Sequence, residues 1–454
     1  MSPDQKTSLR AQAPSQDTLR ARATGKAFAK LLPFLILMYI VAFLDRSNIS
    51  SAKQALQTDV GVSDAMFAFG AGIFFVGYAL FEIPSNLILY RVGARRWMAR
   101  IMVTWGLVSA AMMFTQGNLS FVLLRTLLGV TEAGFFPGIM LYLTFWFPEK
   151  ERTRVLGVFY FGYPLAMTFG NPLSGALFGL DGAFGLAGWQ WMFLLEGGLA
   201  VAMGIATYFV LPDRPQDVKW LTTEEKATLS TVLEREAASK AGATGHSVRL
   251  GALLHSTKLL QFLALYMVMQ IASYGVVFYL PEQVSTILHE KIGLRVGLVS
   301  AIPWACAILS TYVVTKLVQR HDAPRFGLLG CLAAAAIGLV ISGSGYGPVA
   351  LIGLCIAAAG VVTVQAVFWN FPLAHFTGVQ AAGVIALINA LGNLGGFAAP
   401  NIRSFATGFW HTPMAGLYAV ALSGVVGLVI AAFLPRTNNA EQTPPHHPRH
   451  RPVH

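Results

Sequence analysis

The sequence predicts an all-α membrane protein of twelve transmembrane helices, arranged as two six-helix bundles with both termini on one side. Three observations predict it. First, hydrophobic residues make up 55% of the 454-residue chain and charged residues only 12%, with a mean hydropathy of +0.59. A soluble globular domain carries about 25% charged residues, so composition excludes an ordinary soluble enzyme, a disordered chain and a collagen-like one. Second, the apolar residues fall into twelve runs, most near the ~20 residues that cross a bilayer. Third, a faint repeat relates the halves: Gly170-Asn171-Pro172-Leu173-Ser174-Gly175-Ala176 in the fifth run matches Gly392-Asn393-Leu394-Gly395-Gly396-Phe397-Ala398 in the eleventh. Parallel six-helix repeats are a recurring transporter architecture.

The elements follow in order. Residues 1–30 read as a polar cytoplasmic tail and not as a signal peptide, because the first apolar run continues as a mature span. The first bundle, 31–211, holds runs at about 31–53, 64–90, 97–116, 119–147, 154–178 and 189–211. A polar linker, 212–256, follows; within it Thr222 and Glu225 have the spacing of a capping box that starts a helix. The second bundle, 257–434, holds runs at about 257–281, 296–318, 326–344, 347–370, 379–403 and 413–434. Residues 435–454 read as a disordered tail carrying His446 and His447.

The formal charge of +11 has a topological explanation. Lys53, Lys291, Arg295 and Arg403 lie on the side opposite the termini, and Arg46 and Arg125 lie inside spans. All other Lys and Arg fall on the terminal side. Cytoplasmic loops carry such a bias, so both termini are expected in the cytoplasm and no nucleic-acid partner is needed. The three cysteines, Cys306, Cys331 and Cys355, stand in apolar runs with no metal spacing and read as buried free thiols. A monomer is expected.

Ionisable residues deep in apolar runs carry the functional signal. Each costs roughly 2.5–3.5 kcal/mol at a helix centre, so each needs a partner or a water-filled cavity. Asp45 and Arg46 lie in the first span, Arg125 and Glu132 in the fourth. Arg125 and Glu132 are nearly two turns apart, on one face and about 10 Å apart along the axis, with Gly129 between them. One reading is a pair of neutralising ion pairs that lock the two helices together. The other is a cavity for an anion and a proton. Arg offers a planar fork for a carboxylate, and a buried acid exchanges a proton when its Arg partner changes. Tyr78 is a candidate hydrogen-bond donor to substrate, and Glu82, one turn on, a candidate anchor for the basic loop. Glu196, in the sixth span, reads either as a proton group or, the favoured reading, as a structural partner. Asn389 and Asn393 share a face of the eleventh span and are candidate substrate contacts. Trp369, next to Asn370, lies either at the cavity or at its cytoplasmic end, and Tyr274 and Tyr279 either line the cavity or sit at an interface.

Longer motifs carry a resemblance. Leu44-Asp45-Arg46-Ser47-Asn48-Ile49, Phe81-Glu82-Ile83-Pro84-Ser85-Asn86-Leu87 and the run from Arg125 through Glu132-Ala133-Gly134-Phe135-Phe136-Pro137-Gly138 to Trp146-Phe147-Pro148 are the most specific. Trp189-Gln190-Trp191-Met192-Phe193, Leu211-Pro212-Asp213-Arg214-Pro215 and Ile388-Asn389 with Gly392–Phe397 continue it, so the likeness covers about 30–435. The chain resembles the anion:cation symporter family of the major facilitator superfamily, with bacterial permeases for tartrate, phthalate, hydroxyphenylacetate and sugar acids. The resemblance implies the major facilitator fold in the bacterial inner membrane, and import of a small organic carboxylate by proton symport and alternating access. It implies Asp45 and Glu132 as proton carriers, Arg46 and Arg125 as carboxylate ligands and Tyr78 as a site tyrosine. Tyr90 replaces the Asp usual in the loop after span two. Phe43 stands where several relatives carry Tyr, which favours a less hydroxylated or aromatic acid.

Three other classes compete. A drug exporter of the same fold, working as a proton antiporter, would favour a greasy cavity with few arginines. An enzyme would need chemistry that the chain does not spell: it has no His-Glu-x-x-His helix and no nucleotide loop, so no cofactor beyond the proton is expected. A channel fits poorly with a two-half repeat. Small residues let helices approach closely, so Gly170, Gly175, Gly392 and Gly396 are expected to line the seam between the halves.

Overall fold

The computed structural model describes residues 15–243, 256–376 and 378–434. The start of the N-terminal tail, the end of the linker and the histidine-bearing C-terminal tail lie outside the described residues. Among the described residues every regular element is helical. Ten helical segments are long and apolar enough to cross a membrane. The expected fifth and eleventh spans are each divided into two shorter helices instead.

In chain order the helices are α1 (Gln16–Val60), α2 (Asp64–Val92), α3 (Ala94–Ala111), α4 (Asn118–Glu132), α5 (Phe135–Thr144), α6 (Glu149–Tyr160), α7 (Gly162–Leu177) and α8 (Gly188–Val210). The linker helix is α9 (Thr223–Ala243). Then come α10 (Thr257–Val277), α11 (Leu280–Leu288), α12 (Leu294–His321), α13 (Pro324–Ser342), α14 (Gly347–Phe368), α15 (Asn370–His375), α16 (Gly378–Gly392), α17 (Gly395–Trp410) and α18 (Pro413–Ala432).

Two boundaries differ from the sequence reading or sharpen it. α1 begins at Gln16, well inside the expected polar tail. Ser15 Oγ caps it by accepting from the Thr18 amide at 3.3 Å, and Ala23 and Ala27 are buried. The expected linker helix is present: Thr222 Oγ1 accepts from the Glu225 amide at 3.2 Å, and Glu225 accepts from the Thr222 amide at 2.9 Å. Both oxygens of Glu225 also take Lys26 Nζ at 2.8 Å, tying α9 to α1.

Large apolar side chains such as Leu80, Phe209 and Phe405 face outward, as a hydrocarbon solvent permits. Inside, α2 packs on α4, α3 on α8 and α13 on α14. The two ends of the sequence meet where α7 packs on α12 and α2 on α17. Backbones come very close there. A Cβ on Gly297 of α12 would lie 2.4 Å from the Asn171 carbonyl oxygen of α7, and one on Gly175 would lie 2.4 Å from the Gly293 carbonyl. Gly72 of α2 and Gly396 of α17 are crowded in the same way, against Phe397 and Phe75. Gly175 and Gly396 thus line the seam as expected. Gly170 does not, because Leu44 of α1 covers it, and Gly392 meets Tyr266 of α10. Cys306 is exposed on α12 rather than buried.

At the Val60 end of α1 an ionic cluster bridges this seam. Lys53 binds Glu282 of α11 at 2.9 Å and Asp64 of α2 at 3.0 Å. Ser404 of α17 donates to Asp64 at 2.9 Å, and the Arg403 guanidinium lies 3.8 Å from the Tyr279 ring centre. Tyr279 therefore belongs to this end of the molecule.

Candidate functional site

A cavity of about 90 Å³ lies between the sequence halves, bounded by α1, α2, α5–α7, α10, α14 and the end of α16. Arg46 of α1 projects into it. Its guanidinium pairs with Glu132 and donates to the Tyr274 hydroxyl of α10 at 3.4 Å. The rings of Phe43, Phe74 and Tyr78 lie 5.1, 5.1 and 5.5 Å from its centre. Cation–π contacts of this kind hold a guanidinium without neutralising it. Arg46 Nε has no hydrogen-bond partner among the described residues, so the fork keeps donor capacity.

Glu132 is 1% exposed and stands as the last residue of α4, where the helix breaks. Gly134 makes the break possible: its φ is +87°, and a Cβ there would lie 2.3 Å from Ser85 Oγ. A carboxylate at a helix C-terminus opposes the dipole, so Glu132 depends on Arg46 for compensation. Transporter sites are commonly built at such interrupted helices. A second break, between α16 and α17, falls at Asn393 and Leu394.

The opposite wall is uncharged. Gln365 of α14 donates to Gln270 of α10, and Gln270 donates to Asn393 at 2.7 Å. Asn389 lines the cavity beside them, and Tyr163 and Ser273 bridge the halves with their hydroxyls 3.3 Å apart. Tyr39, Phe135, Phe136, Tyr160 and Tyr266 complete a wall dominated by aromatic rings.

A model of the Major Facilitator Superfamily matches residues 35–400. The chain belongs to that superfamily. It is 42% identical to the inner membrane transport protein RhmT of Escherichia coli strain K12, over 82% of this chain and 86% of that one. It is 41% identical to a putative tartrate transporter of Agrobacterium vitis, covering 85% of both chains. A quinolone resistance transporter of Acinetobacter baumannii is also 41% identical, over 82% of this chain and 85% of that one. Among solved structures, a bacterial homologue of the lysosomal transporter Spinster, inward-facing and occupied, superposes with a TM-score of 0.69 at 15% identity, covering 89% of this chain and 95% of that one. That likeness concerns the fold alone. The resemblance to tartrate-type permeases therefore holds at the level of sequence relatives, and the protein is a multi-pass membrane transporter by family.

The facilitator structure brings together Arg46, Tyr78, Tyr274, Asn389 and Asn393 around one cavity, with Glu132 reaching it through Arg46. It does not bring Arg125 there. Arg125 is buried between α4 and α2, where its Nε donates to the Gly70 carbonyl at 3.3 Å and its guanidinium lies 5.1 Å from the Phe74 ring centre. The Phe74 ring thus touches both guanidiniums, but only Arg46 lines the cavity. Gly129 leaves no room for a ligand either, because a Cβ there would lie 2.1 Å from the Phe74 carbonyl oxygen. Asp45 turns away from the cavity to Trp105 and Ser109 of α3. Trp369 sits behind Tyr266, with ring centres 5.2 Å apart. Glu82, expected at the basic loop, faces Asn389 instead. Of the two ion pairs that a pure lock would need, only Arg46–Glu132 is present among the described residues. Gln270 and Gln365 were missed. Each is an amide inside an apolar run, and a buried amide in a span needs a partner, so the signal was there.

Proposed function

We propose that this facilitator imports a small organic carboxylate together with a proton, by alternating access in the bacterial inner membrane. The observation that carries this reading is Arg46: a fork with free donor capacity, aimed into the cavity and compensated by one acid. In the proposed cycle the substrate carboxylate competes with Glu132 for Arg46. Once displaced, Glu132 is a buried acid without its counter-charge and takes a proton. Binding of anion and of proton then favour each other, which is symport. Tyr78, Tyr274, Asn389 and Asn393 hold the rest of the substrate, and Asp45 is the second proton carrier. Arg125 acts on Glu132 through space and Trp369 supports Tyr266. The names of the tartrate-type relatives support a carboxylate, and the small cavity supports a small one.

The reading includes twelve spans in two bundles, 31–211 and 257–434, with both termini and the 212–256 linker in the cytoplasm. It takes the protein as a monomer with no cofactor beyond the coupling proton and no nucleic-acid partner. A second reading, a drug-exporting proton antiporter, draws on the quinolone-resistance relative and the aromatic cavity wall. Reconstituted protein separates them. Counterflow against a panel of mono- and dicarboxylates and a quinolone should select a carboxylate, and an inward proton gradient should drive its uptake. Under that gradient Glu132→Gln should lose net uptake and keep exchange, because exchange does not require the proton to leave. Quinolone counterflow without carboxylate counterflow overturns the import reading.

A further inference from the structure

A second polar cluster lies away from the cavity, enclosed by α1, α3, α7 and α8. Asp45 accepts from Trp105 Nε1 and from Ser109 Oγ, both at 2.8 Å. Glu196 of α8 accepts from Ser174 Oγ of α7 at 2.7 Å. Asn48 follows Asp45 by one turn of α1 and lies near Glu196. Asp45, Asn48 and Glu196 are 1%, 2% and 1% exposed. Glu196 Oε2 and both amide atoms of Asn48 have no hydrogen-bond partner among the described residues.

The charges around the cluster are all negative. Asp45 is the charged group that acts on Glu196, and Glu132, from α4, is the other one that acts on Asp45. α3 contributes Trp105 and Ser109, and α7 contributes Ser174. Asp59, further along α1, is occupied by the Trp189 indole at 3.0 Å. Neither Asp45 nor Glu196 forms an ion pair with Lys or Arg among the described residues. Two carboxyls that share a dry, cation-free site do not both ionise, and they titrate as a pair. Glu196 Oε2 is an oxygen without a donor, beside an amide without an acceptor or donor of its own. A proton on Glu196 adds a donor at that point, and an amide oxygen such as Asn48 Oδ1 is free to accept one.

We propose that Glu196 is a proton-holding residue of the transport cycle, forming with Asp45 an acid pair that alternates between one bound proton and two. The step is a proton transfer: a proton arriving on the one ionised carboxylate makes both groups neutral, and its departure restores a single negative charge. The pair lies apart from the Arg46–Glu132 pair, so it stores the proton without touching substrate. This inference rests on the proton-coupled reading above and adds Glu196 and Asn48 to it.

The test uses full-length protein in proteoliposomes and two readouts. Infrared difference spectra across a pH titration should show a protonated-carboxyl band that Glu196→Gln removes, while the substrate affinity in counterflow stays within about twofold. Net uptake of the same variant should lose most of its pH dependence. Asn48→Ala, which leaves both acids in place, should shift the titration midpoint of that band and keep its amplitude. A band unchanged in Glu196→Gln, or an unchanged pH profile, overturns the proposal. Uptake driven by a sodium gradient at fixed pH and lost in Glu196→Gln would also overturn it, in favour of a cation site. Wild-type uptake indifferent to a pH gradient would instead overturn the symport reading, so the two failures are distinct.

Discussion

The two walls of the cavity use different chemistry. The wall from the first half of the chain carries the charge: Arg46 against Glu132, with Asp45 and Glu196 in the layer behind. The wall from the second half is neutral, a relay of amides from Gln365 through Gln270 to Asn393. An amide relay recognises shape and hydrogen-bonding pattern but changes no charge with pH. The ionic wall does change. Under the proposed function this difference divides recognition from coupling: both walls offer hydrogen-bonding groups to the cavity, and only the first-half wall carries carboxyls that can take up a proton.

The division is sharpest at Arg46. Truncating one partner of a buried, hydrogen-bonded charge pair at a binding site typically costs about 2–5 kcal/mol of affinity, and each 1.4 kcal/mol is tenfold. Arg46→Ala should therefore lower the transport efficiency by ~30-fold or more, and Arg46→Lys should recover part of it by restoring the charge without the fork. Arg125→Lys is the control. Its side chain is buried against Phe74 and the Gly70 carbonyl and does not line the cavity, so the variant's apparent affinity should stay near wild type while thermal stability falls. Uptake kinetics normalised to inserted protein decide this. A collapse of affinity in Arg125→Lys, with normal insertion, would put both arginines in the site and remove the asymmetry.

The next test asks whether the two walls must move against each other. Gly297→Leu inserts a side chain where even a Cβ meets the α7 backbone at 2.4 Å. It should block both uptake and exchange, since a helix pair that cannot close at this seam cannot alternate. Wild-type exchange in Gly297→Leu would mean that α7 and α12 do not need this contact. Smaller effects should come from the neutral wall. Gln270→Leu strands one amide on each side, and a lost hydrogen bond is worth about 0.5–1.5 kcal/mol. Apparent affinity should fall up to ~10-fold, and the pH dependence should stay as in wild type. A shifted pH profile in this variant would show that the amide relay takes part in coupling.

Much of this was legible in the sequence, and the exceptions have physical causes. Period and hydropathy locate helices, because a span must satisfy its own backbone. They do not locate the breaks at Gly134 and Leu394, which depend on how closely another helix approaches. Arg46 and Glu132 were readable as costly buried charges. Their pairing was not, since the sequence left open which carboxyl each of the two arginines faces across the helices. Adjacent residues on a helix point about 100° apart, which separates Asp45 from Arg46 and sends one to α3 and the other to the cavity. The glycine pattern marked two of the seam positions, Gly175 and Gly396. Its other two, Gly170 and Gly392, are covered by Leu44 and Tyr266, and the seam glycines Gly72 and Gly297 fall outside the pattern.

The smallest effect concerns the linker, which is also asymmetric. α9 is fastened to the first half, through Lys26–Glu225 on α1 and through Glu236, which takes the Glu149 amide at 3.1 Å and lies 3.6 Å from the Arg152 guanidinium. Burial raises the Glu225 carboxyl, but the Lys26 ammonium and the Thr222 amide outweigh it, and the group titrates below its ordinary value. A depressed folded-state value means that the pairing stabilises the protein above the ordinary carboxylate range. That contribution is lost as pH falls through the lowered value. Lys26 is 44% exposed, so the pair belongs with surface salt bridges, worth about 0.2–1 kcal/mol. Lys26→Ala should lower the thermal midpoint in detergent by a degree or so at neutral pH, on the order of what that energy gives. Uptake should be unchanged, because no residue of either wall is touched. On acidification the wild type should lose its advantage and the two melting curves should converge. A difference that persists in acid would assign the loss to the packing of the Lys26 stem instead of to its charge. A change in transport rate would mean that the linker governs how the charged half moves, and the asymmetry would then reach beyond the cavity.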